Sequence, residues 1–209
     1  MLDIACYQYF TPYVVDGDVN YLGIQFALDS RHLYKIDVAD ITGSEVVYRD
    51  QSSVSKTSIG DFSSDAVNCD IDVDDQGGKA GLILVALANG TIWFGDLAPG
   101  SLNLNWKSVS VSDTLKGAWF VSDGKIAVWT STNALKVYSL SKNASGNYVL
   151  TNGQTWHTSI SKVSKAQARI TTYNLFGEVG GNIVEAYSKT IVGASSNWSG
   201  AAFLWNDAT

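Results

Sequence analysis

A chain of 209 residues that is 45% hydrophobic and only 16% charged is long enough to bury a core and too apolar to remain disordered. Its 20 acidic and 14 basic side chains leave a net charge of −6, which works against nucleic acid and anionic membranes as partners, because nothing offsets repulsion by phosphate. No apolar run approaches the roughly 18 residues of a membrane span, so none is expected.

The amino terminus, Met1-Leu-Asp-Ile-Ala-Cys-Tyr-Gln-Tyr9, lacks a basic region followed by an apolar stretch. It is therefore read as cytosolic, released by another route, a virion or surface component, or a mature piece of a longer precursor. Next comes Leu22-Gly-Ile-Gln-Phe-Ala27, a turn, and Leu33-Tyr-Lys-Ile-Asp37. Short runs of β-branched and aromatic residues separated by Asp, Asn, Gly and Ser are strand and hairpin signals. A second such unit is Leu82-Ile-Leu-Val-Ala86, a turn ending in Asn89-Gly90, and Thr91-Ile-Trp-Phe94. The third, the clearest, runs from Leu115 to Trp156 and holds Lys125-Ile-Ala-Val-Trp129, a polar turn and Leu135-Lys-Val-Tyr-Ser139. The fourth is Arg169-Ile-Thr-Thr-Tyr173, a loop over 174–181, and Asn182-Ile-Val-Glu-Ala-Tyr-Ser188. Residues 160–168, just before it, form the best helical candidate and read equally well as a linker.

Corresponding strands recur every ~45–60 residues, a spacing of propeller or solenoid repeats. Trp106, Trp156 and Trp198 close three of the units. The expected fold is all-β: one domain, 1–209, a small propeller-like array of about four four-stranded sheets, with Ala27, Val85, Val128 and Thr172 in equivalent inner strands. A β-sandwich is the alternative, as is a partial propeller completed by forming a homo-oligomer. Ring closure is expected from pairing of Ile4-Ala-Cys-Tyr-Gln-Tyr-Phe10 with Ala201-Ala-Phe-Leu-Trp205. Cys6 and Cys69 could pair, but two cysteines do not make a disulfide framework, and the plainer reading is free buried thiols.

The densest acidic cluster is Asp70-Ile-Asp-Val-Asp-Asp-Gln-Gly-Gly78. Alternate carboxylates on a loop can supply oxygens to a hard cation, which makes Asp70, Asp72 and Asp74 candidate calcium ligands. No Glu closes the loop as in an EF-hand, and the other reading is an acidic, solvated turn. No other cofactor is expected. His32 and His157 are the chain's two histidines, and no nucleophile elbow, phosphate loop or cysteine ligand pair accompanies them, so the chain is not expected to be an enzyme. Seven Trp and ten Tyr point instead to binding, since an aromatic ring packs on the C–H face of a sugar while charged groups hold its hydroxyls.

In the last unit Arg169, Glu185 and Asn197-Trp198-Ser-Gly200 follow one another. This order resembles one repeat of the fungal fucose-binding β-propeller lectins. The resemblance implies a sugar pocket between sheets made by Arg169, Glu185 and Trp198, glycans as partners, and no catalysis. The third unit carries Lys136 at the Glu position, so one pocket is implied and not a ring of them. The alternative function is a structural or adhesive propeller that presents a protein-binding face.

Overall fold

The computed structural model describes residues 8–15, 18–42, 45–48, 55–72, 81–97, 104–122, 124–169 and 172–188. All regular structure in them is antiparallel strand, arranged in four sheets that follow one another along the chain. The first holds β1 (Gln8–Val15), β2 (Asp18–Leu28), β3 (His32–Thr42), β4 (Glu45–Tyr48) and β5 (Ser55–Asp61). Its outermost strand is split: β4 pairs with the end of β3 and β5 with its start. The second holds β6 (Ala66–Asp72), β7 (Gly81–Leu87), β8 (Thr91–Leu97) and β9 (Trp106–Ser110). The third holds β10 (Leu115–Ser122), β11 (Lys125–Thr130), β12 (Leu135–Lys142) and β13 (Tyr148–His157). The fourth holds β14 (Lys162–Arg169), β15 (Thr172–Val179) and β16 (Asn182–Ser188).

Each sheet is a meander, and the sheets pack face to face in chain order with three apolar layers between them. Strand periodicity explains the layering. Along β7, Ile83, Val85 and Leu87 join Leu28, Leu33 and Phe62 of the preceding unit, whereas Leu84 and Ala86 join Phe94, Phe120, Ile126 and Val128 on the other side. In β11 the alternation repeats, with Ala127 turned to a third layer of Val121, Leu135, Val137, Ile160 and Leu175. A strand buried on both faces reads as a continuous apolar run, the pattern seen in 82–87 and 126–129. Burying each large side chain contributes about 1.5–3 kcal/mol. The fold is all-β and propeller-like, and Ala27, Val85, Val128 and Thr172 lie on β2, β7, β11 and β15, the second strand of each sheet.

Several boundaries differ from the expected ones. The first sheet begins earlier, because residues 8–10 belong to β1, which pairs with β2 along its whole length. Residues 4–7 and 201–205, invoked to close a ring, lie outside the described residues. Residues 160–168 are neither helix nor linker: Ile160 is fully buried and β14 begins at Lys162. The expected loop over 174–181 is mostly strand, since β15 runs to Val179 and turns at Gly180-Gly181 into β16. Both glycines have positive φ, 57° and 82°, as a two-residue hairpin turn of the primed type requires.

Candidate binding surfaces at the turn end and the outer strand

One end of each sheet carries the turn between its second and third strands, together with the link to the next sheet. Backbone hydrogen bonds join these pieces in a repeating pattern. In the first link Phe62 N donates to Arg31 O at 2.9 Å and Ala66 N to Ser30 O at 2.7 Å. In the second, Val111 N donates to Gly90 O at 2.9 Å and Leu115 N to Ala88 O at 3.1 Å. Both links thus dock on the preceding turn through N–H groups four residues apart. The following turn donates back: Ala88 N to Asp65 O at 2.8 Å and Ser131 N to Thr114 O at 2.9 Å. The third link is held by Ile160 N, which donates to Asn133 O at 2.8 Å. Turn and link groups that would otherwise lack partners are satisfied, and consecutive sheets are coupled.

Side chains reinforce this end. Asp29 Oδ1 accepts from Arg31 N (3.0 Å), His32 N (2.8 Å) and the His32 ring Nδ1 (2.9 Å), while Oδ2 accepts from the Tyr34 hydroxyl (2.9 Å). The Arg31 N–H does most to hold the Asp29 carboxyl well below the usual carboxylate range; burial opposes this, and His32 and Tyr34 add to it. The same bond, received by a carboxylate, raises the pKa of Tyr34. His32 Nε2 sits 3.6 Å from Asp61 Oδ1. A carboxylate on Nδ1 is the orientation used for a general base, yet among the described residues no hydroxyl or thiol bonds to this ring. The network secures the turn to β5. Further along, Arg31 pairs with Asp65 at 3.1 Å, Lys136 pairs with Asp113, and Lys116 Nζ donates to Asn133 Oδ1 at 2.6 Å.

The acidic stretch is not a solvated loop where it is described. Asp70 and Asp72 are in β6, and Asp70 is fully buried, its Oδ2 accepting from Phe120 N at 2.8 Å. Two residues earlier, Asn68 behaves like a peptide group: Nδ2 donates to Ala118 O at 2.7 Å and Oδ1 accepts from Ala118 N at 2.9 Å. Alternate side chains of β6 thus tie the second sheet to the backbone of β10, a structural use for the Asp alternation that sequence reasoning missed. Asp74 lies outside the described residues. Among the described residues no cluster of three His, Cys, Asp or Glu side chains is placed to hold a metal ion. Cys69 is a free, buried thiol whose pKa burial pushes up to about 12, which keeps it protonated and unreactive.

Arg169 is the last residue of β14, paired with Thr172, and Glu185 lies on β16, paired with Phe176. The direct pairing expected between their strands is corrected: β15 runs between them. Two strand spacings across and four residues along put the two backbones roughly 16 Å apart. Trp198 lies outside the described residues.

The tryptophans that close units are not equivalent. Trp106 begins β9 and is half-buried against Phe62, with its indole N–H donating to Ile59 O at 2.7 Å. Trp129, likewise half-buried, donates to Ile160 O at 3.1 Å. Trp156 is 46% exposed, the one exposed large hydrophobic side chain among the described residues. Its setting is unusual for a strand, because six consecutive positions of β13, 151–156, are exposed. The register explains this: Leu135 pairs with His157 but Lys136 with Thr155, so Trp156 is the extra residue of a bulge. A second bulge sets Asn152 (φ 55°) and Gly153 against Tyr138. There a Cβ on Gly153 would fall 2.4 Å from the Tyr138 ring.

No helix of the described residues is long and apolar enough to cross a membrane. No family model and no curated protein matches the chain. Among solved structures, the crystal structure of BamB from Moraxella catarrhalis matches with a TM-score of 0.37 and 14% identity, over 85% of this chain and 46% of that one. The chain therefore spans about half the length of that protein.

Proposed function

We propose that this chain is a non-catalytic recognition module of lectin type, whose ligands are glycans. The observation that carries the reading is the exposed indole of Trp156, presented on a bulge within a stretch of β13, 151–156, whose six positions are all exposed. Exposing an indole forgoes its burial energy, and a ring offered in this way suits a ligand with an apolar face and a polar rim. Two further features support recognition over chemistry. The described acid–base groups at the turn end bond to one another, as in Asp29 with His32 and Tyr34. The backbone ladder through the turns makes that end a stiff platform, which lowers the entropy lost on binding.

The test is a glycan array with the purified chain. Binding to a defined set of sugars supports the reading, and no binding to any sugar overturns it. A second reading then takes its place, a protein-binding scaffold, which is favoured by the row of opposite charges at the turn end, Arg31–Asp65, Lys136–Asp113 and Lys162–Glu178.

A further inference from the structure

We infer that the outer half of β13 and the residues after it, 151–159, form a subsite for uncharged sugar residues, with Trp156 as its stacking platform. The inference rests on the lectin reading and deepens it by naming the site and the class of glycan. It lies on the third sheet, whereas Arg169 and Glu185 belong to the fourth.

The chemistry of the strip carries the argument. Residues 151–159 read Thr-Asn-Gly-Gln-Thr-Trp-His-Thr-Ser, without one Asp, Glu, Lys or Arg, in a chain that is 16% charged. All but His157 are exposed. Hydroxyls and amides can both donate to and accept from sugar hydroxyls, while the indole covers the C–H face of a pyranose ring. The nearest cation across the ladder is Lys136, opposite Thr155, and its ammonium is paired with Asp113. Among the described residues, a carboxylated or sulfated sugar would find no unpaired lysine or arginine in the strip or directly across the ladder from it, and the net charge of −6 would oppose it. The bulge makes the platform, since without the extra residue Trp156 would fall into strict two-residue alternation. The second bulge fixes the other end of the strip, because Gly153 packs against the Tyr138 ring with no room for a side chain.

The experiment compares wild type with Trp156→Ala, Trp156→Phe and Gln154→Ala, first on a glycan array and then by calorimetric titration with the best neutral oligosaccharide. Trp156→Ala should weaken binding about tenfold or more, while Trp156→Phe, which keeps a ring, should recover part of it. Circular dichroism should stay unchanged in each variant, which shows that the fold survives the substitution. Gln154→Ala should weaken binding less than Trp156→Ala does. A preference for sialylated or sulfated glycans over neutral ones overturns the inference. So does full binding by Trp156→Ala; if binding is then lost in an Arg169→Ala/Glu185→Ala double variant, the site moves to the fourth sheet and the lectin reading stands. No binding by wild type to any glycan overturns both.

Discussion

Ile160 shows how one side chain can join several parts of this molecule. It is fully buried in the third apolar layer, its N–H donates to Asn133 O, and its carbonyl accepts from the Trp129 indole. Ile160→Ala should cost about 2–5 kcal/mol in urea unfolding, the range for truncating a buried aliphatic residue. Asn68→Ala removes a different kind of tie, leaving the N–H and carbonyl of Ala118 without their side-chain partner, and should cost about 1–3 kcal/mol in the same measurement. Titration gives a third expectation. Asp29 is held below its ordinary 3.8, as is Asp96, where burial acts upward but is outweighed by hydrogen bonds from Tyr148 and Lys142. A lowered carboxyl stabilises the fold above the unfolded value, so this contribution is lost as pH falls through and below about 4. Tyr148 is raised from 10.0, chiefly by burial and then by its bond to Asp96, and Lys136 is raised from 10.5 by its bond to Asp113. Raised groups stabilise below their unfolded values and stop doing so as pH climbs through the folded ones. Melting temperature measured against pH should therefore be level from about 5 to 9 and fall on both sides; a steady rise from pH 9 to 12 would contradict the assignment.

Turns and links, more than strands, distinguish one element from another here. Gly90 and Gly181 both have positive φ, 93° and 82°, yet their surroundings differ. A Cβ on Gly90 would lie 2.6 Å from Asp113 O and 2.7 Å from Val111 O, both backbone atoms of the docked link, whereas a Cβ on Gly181 meets nothing within 4 Å. Gly181→Ala should therefore cost only the left-handed penalty of about 1–2 kcal/mol. Gly90→Ala should cost more, because it must also push the link off the turn. Equal urea midpoints for the two variants would show that the link is not held as described. Outer strand β13 follows its own rule: two bulges interrupt its pairing with β12, and bulges are one way proteins keep an outer strand from pairing with another chain.

At the scale of the molecule, stability comes from three apolar layers, each shared by two consecutive sheets. Among the described residues no sheet has a core of its own, so no single sheet is expected to melt apart from its neighbours. Ile83→Ala in the first layer, Leu84→Ala in the second and Leu135→Ala in the third should each lower the midpoint of one common thermal transition. Two resolved calorimetric transitions in any of them would show that the sheets fold separately. Far-UV circular dichroism should report strand with helix well below the roughly one-third share of an ordinary globular domain.

The sequence by itself determined that the chain is a series of strands, because the signals are local: β-branched runs such as 82–86 and 125–129, and turn residues such as Asn89-Gly90 and the polar run 130–134. It also placed β2, β7, β11 and β15 as corresponding strands, because the strand–turn–strand pattern recurs along the chain. Tertiary structure decided what pairs with what. Backbone amides are alike at every residue, so the ladder through Ser30, Ala88 and Thr114 leaves no mark in side-chain letters. Register is equally silent: one extra residue in β13 turned Trp156 outward, while Trp106, a tryptophan of similar apparent position, is half-buried in the first layer. Only packing could turn Asp70 from a candidate calcium ligand on a loop into a buried acceptor for Phe120, because that bond spans 50 residues. The path of β15 between Arg169 and Glu185 likewise depended on pairing energies summed over a whole hairpin, not on the two residues whose order had suggested a pocket.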